Sequence, residues 1–486
     1  MRIVFYARPW SVEILTAVEE YWRLSRPVES VYITHQLQAA RALEATGRDV
    51  THIPAAIGEQ GAVDAVTELQ RIERRYGDAL LPLPRYLMAE RFFEGRDRSW
   101  QLDQLARHAL FFERLYDDFK PDLIVGEAVD IMPAWLAYDM APVHGCEPVG
   151  VIPSTLPPGR ILMLRGHDEV AGAVETYTAY RGDGLTAAQE AAARELQAII
   201  LGQGTKLDYL PPPRRRREFA RRLATGEVLG HHLSGSIWRL RERRVGNWFV
   251  QPDPVVHRLM QPLQALRGAF ADRRYLNDPP GSLPYVFYPL HFQPEATTLM
   301  HGSYFEDQLT VIRNLARSLP AGWELVVKEH FWMRGQRALR FYRALRSIPN
   351  LRLLPFSVPT NDLILGAEII AVISGTAGLE GALIGKPVLI FGHYPWDYAP
   401  TIRRAGALAD LPDQIEELAG AALSPDHPDV LAFAASWDSS LPPGRYFKTR
   451  AYDWRDPENV RRIAAAIESR LDYRAQSADL AGAPPA

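Results

Sequence analysis

The sequence Ile369-Ile-Ala-Val-Ile-Ser-Gly-Thr-Ala-Gly-Leu-Glu380 places an apolar, strand-like run directly before a turn of small residues and the start of a helix. It belongs to a longer stretch, from Pro284 to Phe391, in which short apolar runs alternate with helix-like segments. This alternation predicts a parallel sheet with helices on both faces. In such sheets ligands bind in the crevice beyond the carboxyl ends of the strands. The polar residues that follow each run are therefore the first candidates for function.

Three of these runs end in polar side chains. The runs Pro284–Leu290, Trp323–Val327 and Ile369–Ile373 are each followed by residues that are costly to bury without partners. We expect these residues to face one crevice: His291, Gln293, Glu295, Lys328, Glu329, His330, Ser374 and Thr376.

The turn Ser374-Gly-Thr-Ala-Gly378 has the composition of an anion site at a helix N-terminus. Small residues let a ligand approach the backbone N–H groups, and Ser374 and Thr376 add hydroxyl donors. The turn matches neither the GxxxxGK[ST] nor the GxGxxG pattern, so a plain tight turn is the alternative.

The other strand ends also allow a structural interpretation beside the functional one. Glu295 and Thr297 could satisfy the first-turn amides of a helix rather than bind a ligand. Lys328 and His330 could bind phosphate, or could form a solvated strand end.

The N-terminal part of the chain repeats the alternation of strand and helix. Arg2–Ala7 is the first predicted strand, and Pro121-Asp-Leu-Ile-Val-Gly-Glu127 is the clearest one. The carboxylates Glu127 and Asp130 follow it, and either could act as the catalytic base or nucleophile of glycosyl transfer. A cap on the helix over 134–143 is the alternative for Asp130.

The sequence predicts five segments. They are an N-terminal alternating α/β domain (1–165), a helical insertion and linker (166–280), a second alternating α/β domain (281–440), a C-terminal amphipathic helix (441–475) and a disordered tail (476–486). In the insertion, the run Arg214–Arg217 could contact phosphate or a membrane surface, but a solvated helix start is the expected interpretation.

Composition excludes several classes of protein. The 486 residues have a net charge of −3, which gives no general basic field for nucleic acid. Cys146 is the single cysteine, so neither a disulfide within the chain nor a multi-cysteine zinc cluster can form. The sequence shows neither a signal peptide nor a run of about 20 apolar residues. We therefore expect a cytoplasmic protein, with peripheral contact at the inner face of the membrane as an alternative.

Three motifs together resemble the bacterial capsule polysaccharide biosynthesis proteins, which include β-Kdo glycosyltransferases. The motifs are Phe287-Tyr-Pro-Leu-His-Phe-Gln-Pro-Glu295, Val326-Val-Lys-Glu-His330 and Ile373-Ser-Gly-Thr-Ala-Gly-Leu-Glu-Gly-Ala-Leu-Ile-Gly-Lys-Pro-Val388. The resemblance covers roughly residues 284–395. The family's Gln-Pro-Glu motif maps onto Gln293–Glu295 and its hydroxyl-bearing turn onto Ser374 and Thr376. Its His-Pro motif maps onto His330, although Phe331 stands here in place of proline.

The resemblance implies an α/β fold of the GT-B type, in which two Rossmann-like domains face a cleft. On this resemblance the domain over 1–165 binds the acceptor, the domain over 281–440 binds the nucleotide sugar, and the C-terminal helix (441–475) packs back across them. The resemblance also implies a metal-independent glycosyltransferase of capsular or other surface polysaccharide, with CMP-Kdo as one donor and no cofactor. The implied partners are the nucleotide sugar, a glycan or glycolipid acceptor, and a peripheral membrane or polysaccharide assembly complex. The alternatives are a polyol-phosphate transferase, a sugar-nucleotide epimerase and a non-catalytic assembly or export partner.

On this interpretation the catalytic candidates are Glu127, Asp130 and Glu295. The predicted nucleotide- and phosphate-binding residues are His291, Gln293, Lys328, His330, Ser374, Gly375, Thr376 and Glu380. No metal site is predicted.

Overall fold

The computed structural model describes residues 1–127, 129–165, 169–202, 227–250, 254–279, 281–446 and 454–482. Contacts divide the chain into two compact units. The first unit contains Met1–Gly172, Asp208–Val255 and Leu441–Ala486, and the second contains Ala173–Leu207 and Val256–Ser440. The run Arg214–Arg217, interpreted above as a solvated helix start or a phosphate or membrane contact, lies outside the described residues.

Each unit contains one sheet. The strands of the first are β1 (Arg2–Tyr6), β2 (Glu29–Thr34), β3 (Val50–His52), β4 (Leu123–Gly126), β5 (Glu147–Pro153), β6 (Ile161–Arg165) and β7 (Glu169–Val170). The strands of the second are β8 (Tyr285–Pro289), β9 (Glu324–Lys328), β10 (Leu351–Leu354), β11 (Ile369–Val372), β12 (Val388–Ile390) and β13 (Ile402–Arg404).

Helices connect the strands and cover the sheets. In the first unit they are α1 (Val12–Arg23), α2 (Leu37–Glu44), α3 (Ile53–Gly58), α4 (Ala65–Tyr76), α5 (Leu83–Met88), α6 (Arg98–Phe119), α7 (Met132–Met140), α10 (Glu227–Arg244) and α19 (Pro457–Gly482). In the second they are α8 (Ala173–Asp183), α9 (Ala187–Ile200), α11 (Pro254–Arg274), α12 (Ala296–Leu299), α13 (Gln308–Ser318), α14 (Leu339–Arg346), α15 (Thr360–Gly366), α16 (Thr376–Leu383), α17 (Leu411–Leu418) and α18 (Pro428–Ser440). Short 3₁₀ turns cover Gly77–Ala79, Ala141–His144, Phe331–Met333 and Leu408–Asp410.

The first sheet has the order β3-β2-β1-β4-β5-β6-β7. Strands β1 to β5 run parallel, and β6 and β7 add an antiparallel edge. Its central strands β1 and β4 are buried almost completely, as expected for strands covered by helices on both faces. The strand order reverses direction between β1 and β4, which are direct neighbours in register Ile3–Leu123.

The second sheet has the order β10-β9-β8-β11-β12-β13, and all of its strands are parallel. Its order is the 3-2-1-4-5-6 sequence of a Rossmann sheet, and the first five strands of the other unit follow the same order. The chain therefore has the GT-B-like fold class, α/β with two Rossmann-like units. The direction of the second sheet reverses between β8 and β11.

Some segments differ from the sequence-based expectation. The region 166–280, predicted as one insertion, is divided between the units, because α8 and α9 pack on α18 in the second unit whereas α10 belongs to the first. The C-terminal helix α19 packs on α1 and β5, and Ile463, Ala464 and Ile467 are fully buried in this contact. The helix continues to Gly482, past residue 476 where a disordered tail was predicted, since alanine favours propagation of a helix already begun.

Candidate functional site

The crevice of the second unit lies where β8 and β11 end side by side. The register Ile369–Val286 aligns the two strands, so the loop that begins at Leu290 lies next to the turn after Ile373. In a Rossmann sheet this reversal of strand order is where loops part and leave room for a ligand. The first and third predicted polar groups are thus neighbours in the structure.

Two glycines hold α16 close to the sheet. A Cβ atom at Gly378 would lie 2.4 Å from the ring of Trp396, and one at Gly381 would lie 2.2 Å from Ile370 Cδ1. Any larger residue would push the helix away from β11. The glycines therefore fix the N-terminus of α16 at the end of the strand.

The turn before α16 is tied to the loop after β8. The Ser374 hydroxyl donates to the Thr297 carbonyl oxygen at 2.7 Å, and the Ser374 N–H points at His291 Nε2 at 3.5 Å. A Cβ atom at Gly375 would lie 3.1 Å from the same nitrogen. Burial, together with the charge of Arg337 and of His330 when it is protonated, lowers the pKa of His291 to about 3. His291 is thus neutral and positions the turn. The Ser374 hydroxyl is hydrogen-bonded within the protein.

Helix α16 begins without a side-chain cap at its N-cap position. Its N-cap is Gly375, which makes no side-chain cap hydrogen bond, and Thr376 at the first helical position is exposed. First-turn N–H groups and the helix dipole both favour a negatively charged ligand. The geometry therefore fits a phosphate group, as the sequence suggested for Gly375 and Thr376.

His330 follows β9 and offers a ring N–H. Its Nδ1 accepts a hydrogen bond from the Trp332 backbone N–H at 3.3 Å, so the proton of the neutral ring is on Nε2. Burial lowers the pKa of His330, and the charges of Arg337 and Lys328 lower it further. The ring is therefore a neutral hydrogen-bond donor at physiological pH.

Lys328 and Glu380 form the charged part of this crevice. The Lys328 ammonium donates to Thr360 Oγ1 at 2.7 Å. Burial lowers the pKa of Lys328 and raises that of Glu380 to about 7, and each group's charge opposes the other's shift. Near neutral pH the Glu380 carboxyl titrates, so a second negative charge brought by a ligand would favour its protonated form.

Glu295 is joined to the turn through Thr297. Thr297 Oγ1 donates to Glu295 Oε2 at 2.7 Å, and the Glu295 charge adds to the effect of burial in raising the pKa of Tyr394 to about 12. Glu295 is the N-cap residue of α12, but its side chain makes no cap hydrogen bond. Its carboxylate thus lies at the edge of the crevice rather than on the helix amides.

Gln293 and Glu329 have structural partners instead of facing the crevice. The Gln293 amide donates to the Glu306 carbonyl oxygen at 2.6 Å and accepts from Gln308 at 2.6 Å. Glu329 is 2% exposed and is bound by Arg337 at 3.1 Å and by the Tyr342 hydroxyl at 2.5 Å. The expectation that Glu329 faces the crevice is wrong, because its strand position points into this buried network.

Arg337 and Gln308 were missed by the sequence analysis although they shape the site. Arg337 donates to the His291 carbonyl oxygen as well as to Glu329, and Gln308 bonds both the N–H and the carbonyl of His291. Arg337 lies 46 residues and Gln308 lies 17 residues along the chain from His291. A buried arginine needs a carboxylate, and the pairing with Glu329 has no local pattern that would reveal it.

In the first unit the same position of the sheet is occupied by an ion pair. Arg8, after β1, binds Asp130 through two hydrogen bonds, of which Nη1–Oδ2 measures 2.9 Å. Arg8 Nε also lies 3.7 Å from Glu127 Oε2, and Arg91 lies 3.5 Å from Asp130. Although burial opposes it, the charge of Arg8 and its hydrogen bonds, helped by Arg91, hold the pKa of Asp130 below its ordinary value.

Glu127 has the opposite electrostatic environment. Burial raises its pKa to about 7; Arg8 opposes this shift and Asp130 adds to it. Its Oε1 atom is buried and has no hydrogen-bond partner among the described residues. Two neighbouring carboxylates whose pKa values are pushed apart are suited to different tasks. Glu127 can exchange a proton near neutral pH, whereas Asp130 stays charged and orients Arg8.

A pocket of about 290 Å³ adjoins this ion pair in the first unit. Arg8, Arg91 and Asp130 supply its charged lining, and Trp10 and Phe92 supply aromatic faces. Two arginines against one ionised carboxylate favour a polar ligand that carries negative charge. Aromatic rings suit the C–H faces of a ring-shaped ligand.

The floor of the pocket is fixed by a directed chain of hydrogen bonds. The Tyr6 hydroxyl donates to His35 Nδ1 at 2.7 Å, His35 Nε2 lies 3.1 Å from His108 Nε2, and His108 Nδ1 donates to the Gln104 carbonyl oxygen at 2.6 Å. A carbonyl can only accept, so each ring has one possible tautomer along this chain. Burial lowers the pKa of His35 and takes that of His108 to about 4, so both rings are neutral and the floor is rigid.

The described residues also bear on membrane and metal binding. No helix in the described part of the chain is both long and apolar enough to cross a bilayer. Among the residues that the structure describes, no group of three or more His, Cys, Asp or Glu side chains is placed to hold a metal ion. Metal independence stays a prediction.

Comparison with known proteins gave matches to solved structures alone. No family model matches the chain, and no curated protein matches it. KpsC of Thermosulfurimonas dismutans, a β-Kdo 2,7 transferase, is 11% identical and covers 70% of this chain and 88% of its own, with a TM-score of 0.31. MnaA of S. aureus in complex with UDP is 10% identical. The match covers 97% of this chain and 96% of MnaA, with a TM-score of 0.30.

A putative UDP-N-acetylglucosamine 2-epimerase from Listeria monocytogenes is 11% identical, covers 97% of this chain and 96% of its own, and has a TM-score of 0.29. The three TM-scores lie below 0.5, so the fold assignment rests on the strand order and register given above.

Proposed function

We propose that the protein is a glycosyltransferase of surface polysaccharide assembly that uses a nucleotide-sugar donor. The second unit binds the donor through its phosphate, and the first unit binds the acceptor. The observation that carries the proposal is the N-terminus of α16, where Gly375 leaves the first-turn N–H groups without a side-chain cap. The motifs of residues 284–395 support the capsule family and CMP-Kdo as one donor.

The second unit supplies what a leaving nucleotide phosphate requires. We expect the helix dipole of α16, the Lys328 ammonium and the Nε2–H of His330 to stabilise the negative charge of that phosphate. Glu295 lies beside the turn, where its carboxylate suits the hydroxyl groups of a sugar or ribose. His291 and Gln293 hold the loop from behind instead of touching the donor.

The first unit supplies the base and the acceptor pocket. Glu127 accepts the proton of the acceptor hydroxyl while the hydroxyl oxygen forms a bond to the anomeric carbon of the sugar. The bond from that carbon to the phosphate oxygen breaks, and its electron pair leaves with the nucleotide. Asp130 keeps Arg8 in place, and Arg8 and Arg91 bind an acidic group of the acceptor.

The direct test is nucleotide binding by the second unit's crevice. CMP, CDP and UDP are titrated into the full chain by calorimetry, and CMP-, CDP- and UDP-sugars are assayed for donor hydrolysis and for transfer. At least one nucleotide should bind, and the matching sugar nucleotide should be turned over. If none of the three nucleotides binds, the proposal fails and a non-catalytic partner is favoured.

His330→Asn sharpens this test. Asparagine keeps an acceptor for the Trp332 N–H but loses the ring donor, so turnover should fall by about tenfold with little change in melting temperature. The matched control is His427→Asn, because His427 Nδ1 likewise accepts a backbone N–H, from Asp429 at 3.2 Å. Equal turnover in both variants would remove His330 from the site. Conversion of the sugar nucleotide into its epimer, without transfer, would favour an epimerase.

A further inference from the structure

Helix α11 exposes a row of large apolar side chains. Leu259, Leu263, Leu266 and Phe270 are 71%, 55%, 69% and 51% exposed. Their spacing of four, three and four residues places them on a single face of the helix. A soluble protein rarely leaves a contiguous apolar patch open to water without using it for binding.

The other side of α11 is fastened to the second unit. Ala271 is buried, Asp272 pairs with Arg334 at 2.6 Å, and a Cβ atom at Gly268 would lie 3.2 Å from Arg334 Cγ. Gly335 approaches even more closely, since a Cβ there would lie 1.9 Å from the Gln264 carbonyl oxygen. The helix thus cannot rotate to bury its apolar face against its own unit.

The charges along α11 are almost all positive. The helix carries four arginines and a single aspartate, and that aspartate is already paired with Arg334. On a helical projection Arg273 lies on one flank of the apolar row, and Arg267 and Arg274 lie on the other. Long arginine side chains can reach anionic groups from positions beside an apolar face.

We propose that α11 is a docking helix for an anionic lipid bilayer, with its apolar row in the interfacial region and its arginines at the phosphate groups. An apolar face flanked by arginines is the composition of helices that lie in a membrane interface without spanning it. A second copy of this chain would bring its own arginines against the first set, and their repulsion disfavours that occupant. The proposal does not depend on the transferase activity.

The test is co-sedimentation of the full chain with vesicles of phosphatidylcholine alone and of phosphatidylcholine mixed with an equal amount of phosphatidylglycerol. The wild type should bind the mixed vesicles, and added salt should weaken this binding. The test variant carries Leu259→Gln, Leu263→Gln, Leu266→Gln and Phe270→Gln, all at exposed positions. We expect its partition coefficient to fall by at least about tenfold.

A matched control carries Leu24→Gln and Met88→Gln, two apolar residues that are 88% and 70% exposed outside α11. It should bind vesicles like the wild type. Failure of the wild type to bind mixed vesicles, or an equal loss in both variants, would overturn the proposal. Sedimentation velocity without vesicles tests the rival occupant, because a wild-type dimer abolished by the four-residue variant would assign this face to a second copy.

Nucleotide affinity, measured on the same variant, separates this proposal from the proposed function. The four substitutions lie outside the crevice, so calorimetry should give the wild-type affinity. Vesicle binding without nucleotide binding would leave the lipid proposal standing and would remove the transferase.

Discussion

Both units place two loops at the same point of a Rossmann sheet, between β1 and β4 in one and between β8 and β11 in the other. In the first unit the N-terminus of the helix that follows already has a side-chain partner, because the Met132 N–H at the start of α7 donates to the buried Glu90 carboxyl group at 2.7 Å. In the second unit the equivalent helix, α16, begins at an uncapped glycine. One topology thus gives a helix end closed to anions and a helix end open to them.

The difference shows that the residues at the strand ends, rather than the topology, determine the charge and the free hydrogen-bonding groups at this point of each sheet. The loop after β1 carries Arg8, which binds Asp130 across the crevice. The loop after β8 carries His291, whose neutral ring leaves the neighbouring turn free of charge. The proposed function therefore assigns the phosphate to the N–H groups at the start of α16 in the second unit, and assigns the base and the acceptor pocket to the first unit.

The largest expected effect is on the chemistry assigned to the first unit. Glu127→Gln should lower the transfer rate by about 10²- to 10⁴-fold, since the amide cannot accept the acceptor's proton. The wild-type rate should rise with pH through about 7, where Glu127 loses its proton, and the variant should lack this limb. A pH–rate profile checks both.

The same substitution has a consequence for stability with a defined sign. The folded-state pKa of Glu127 lies near 7, above its ordinary value of 4.5, so its contribution to stability is lost as pH rises through that interval. Above pH 7 Glu127→Gln should be more stable than the wild type by up to about 3 kcal/mol, and below pH 4.5 the two should match. Glu90→Gln, at a second carboxyl whose pKa burial raises to about 7, is the control that should keep the rate limb.

The second expected effect concerns the close packing of α16. Gly378→Ala should cost about 1–3 kcal/mol of unfolding free energy and weaken nucleotide binding, because the new Cβ would overlap Trp396 and move the helix N-terminus. Urea denaturation and calorimetry measure the two effects. Gly182→Ala is the matched control in α8, where a Cβ meets nothing within 4 Å, and it should leave stability equal or higher. Unchanged affinity in Gly378→Ala would contradict a site at this helix end.

The smallest expected effect separates the contribution of the Lys328 charge to nucleotide binding from the contribution of the α16 helix dipole. Lys328→Gln should weaken nucleotide binding by about tenfold, which corresponds to one charge-assisted hydrogen bond. Lys386→Gln is the control, because Lys386 is also half-buried and donates to a backbone oxygen, that of Ala367, but lies before β12 at the opposite end of the sheet. Comparable losses in the two variants would mean that the effect is not local to the crevice.

Local sequence patterns predicted most of the fold. The runs around Leu325–Lys328 and Ile369–Ile373 are apolar and β-branched, and both are central strands of the parallel sheet. Thr186 caps α9 through a capping box with Gln189, a motif that a local pattern can reveal because its geometry spans only three residues. Ser11, in contrast, is the N-cap residue of α1, but its hydroxyl bonds the Arg8 backbone and makes no cap hydrogen bond.

The candidate site was predictable in part for the same reason. Ser374 and His291 could be placed together because strand ends meet at one edge of a sheet. The sequence could not predict which of the polar side chains are bonded to partners within the protein. Glu329 is bound by Arg337 from eight residues away, and Arg8 meets Asp130 across 122 residues, and pairs at such separations leave no local signature.

The most direct measurement is a crystal structure of the full chain soaked with CMP, CDP or UDP. The account predicts phosphate density at the N-terminus of α16, within hydrogen-bond distance of the Thr376 backbone N–H and of His330 Nε2. Phosphate density beside Arg8 and Asp130 in the first unit, with the α16 turn empty, would contradict it.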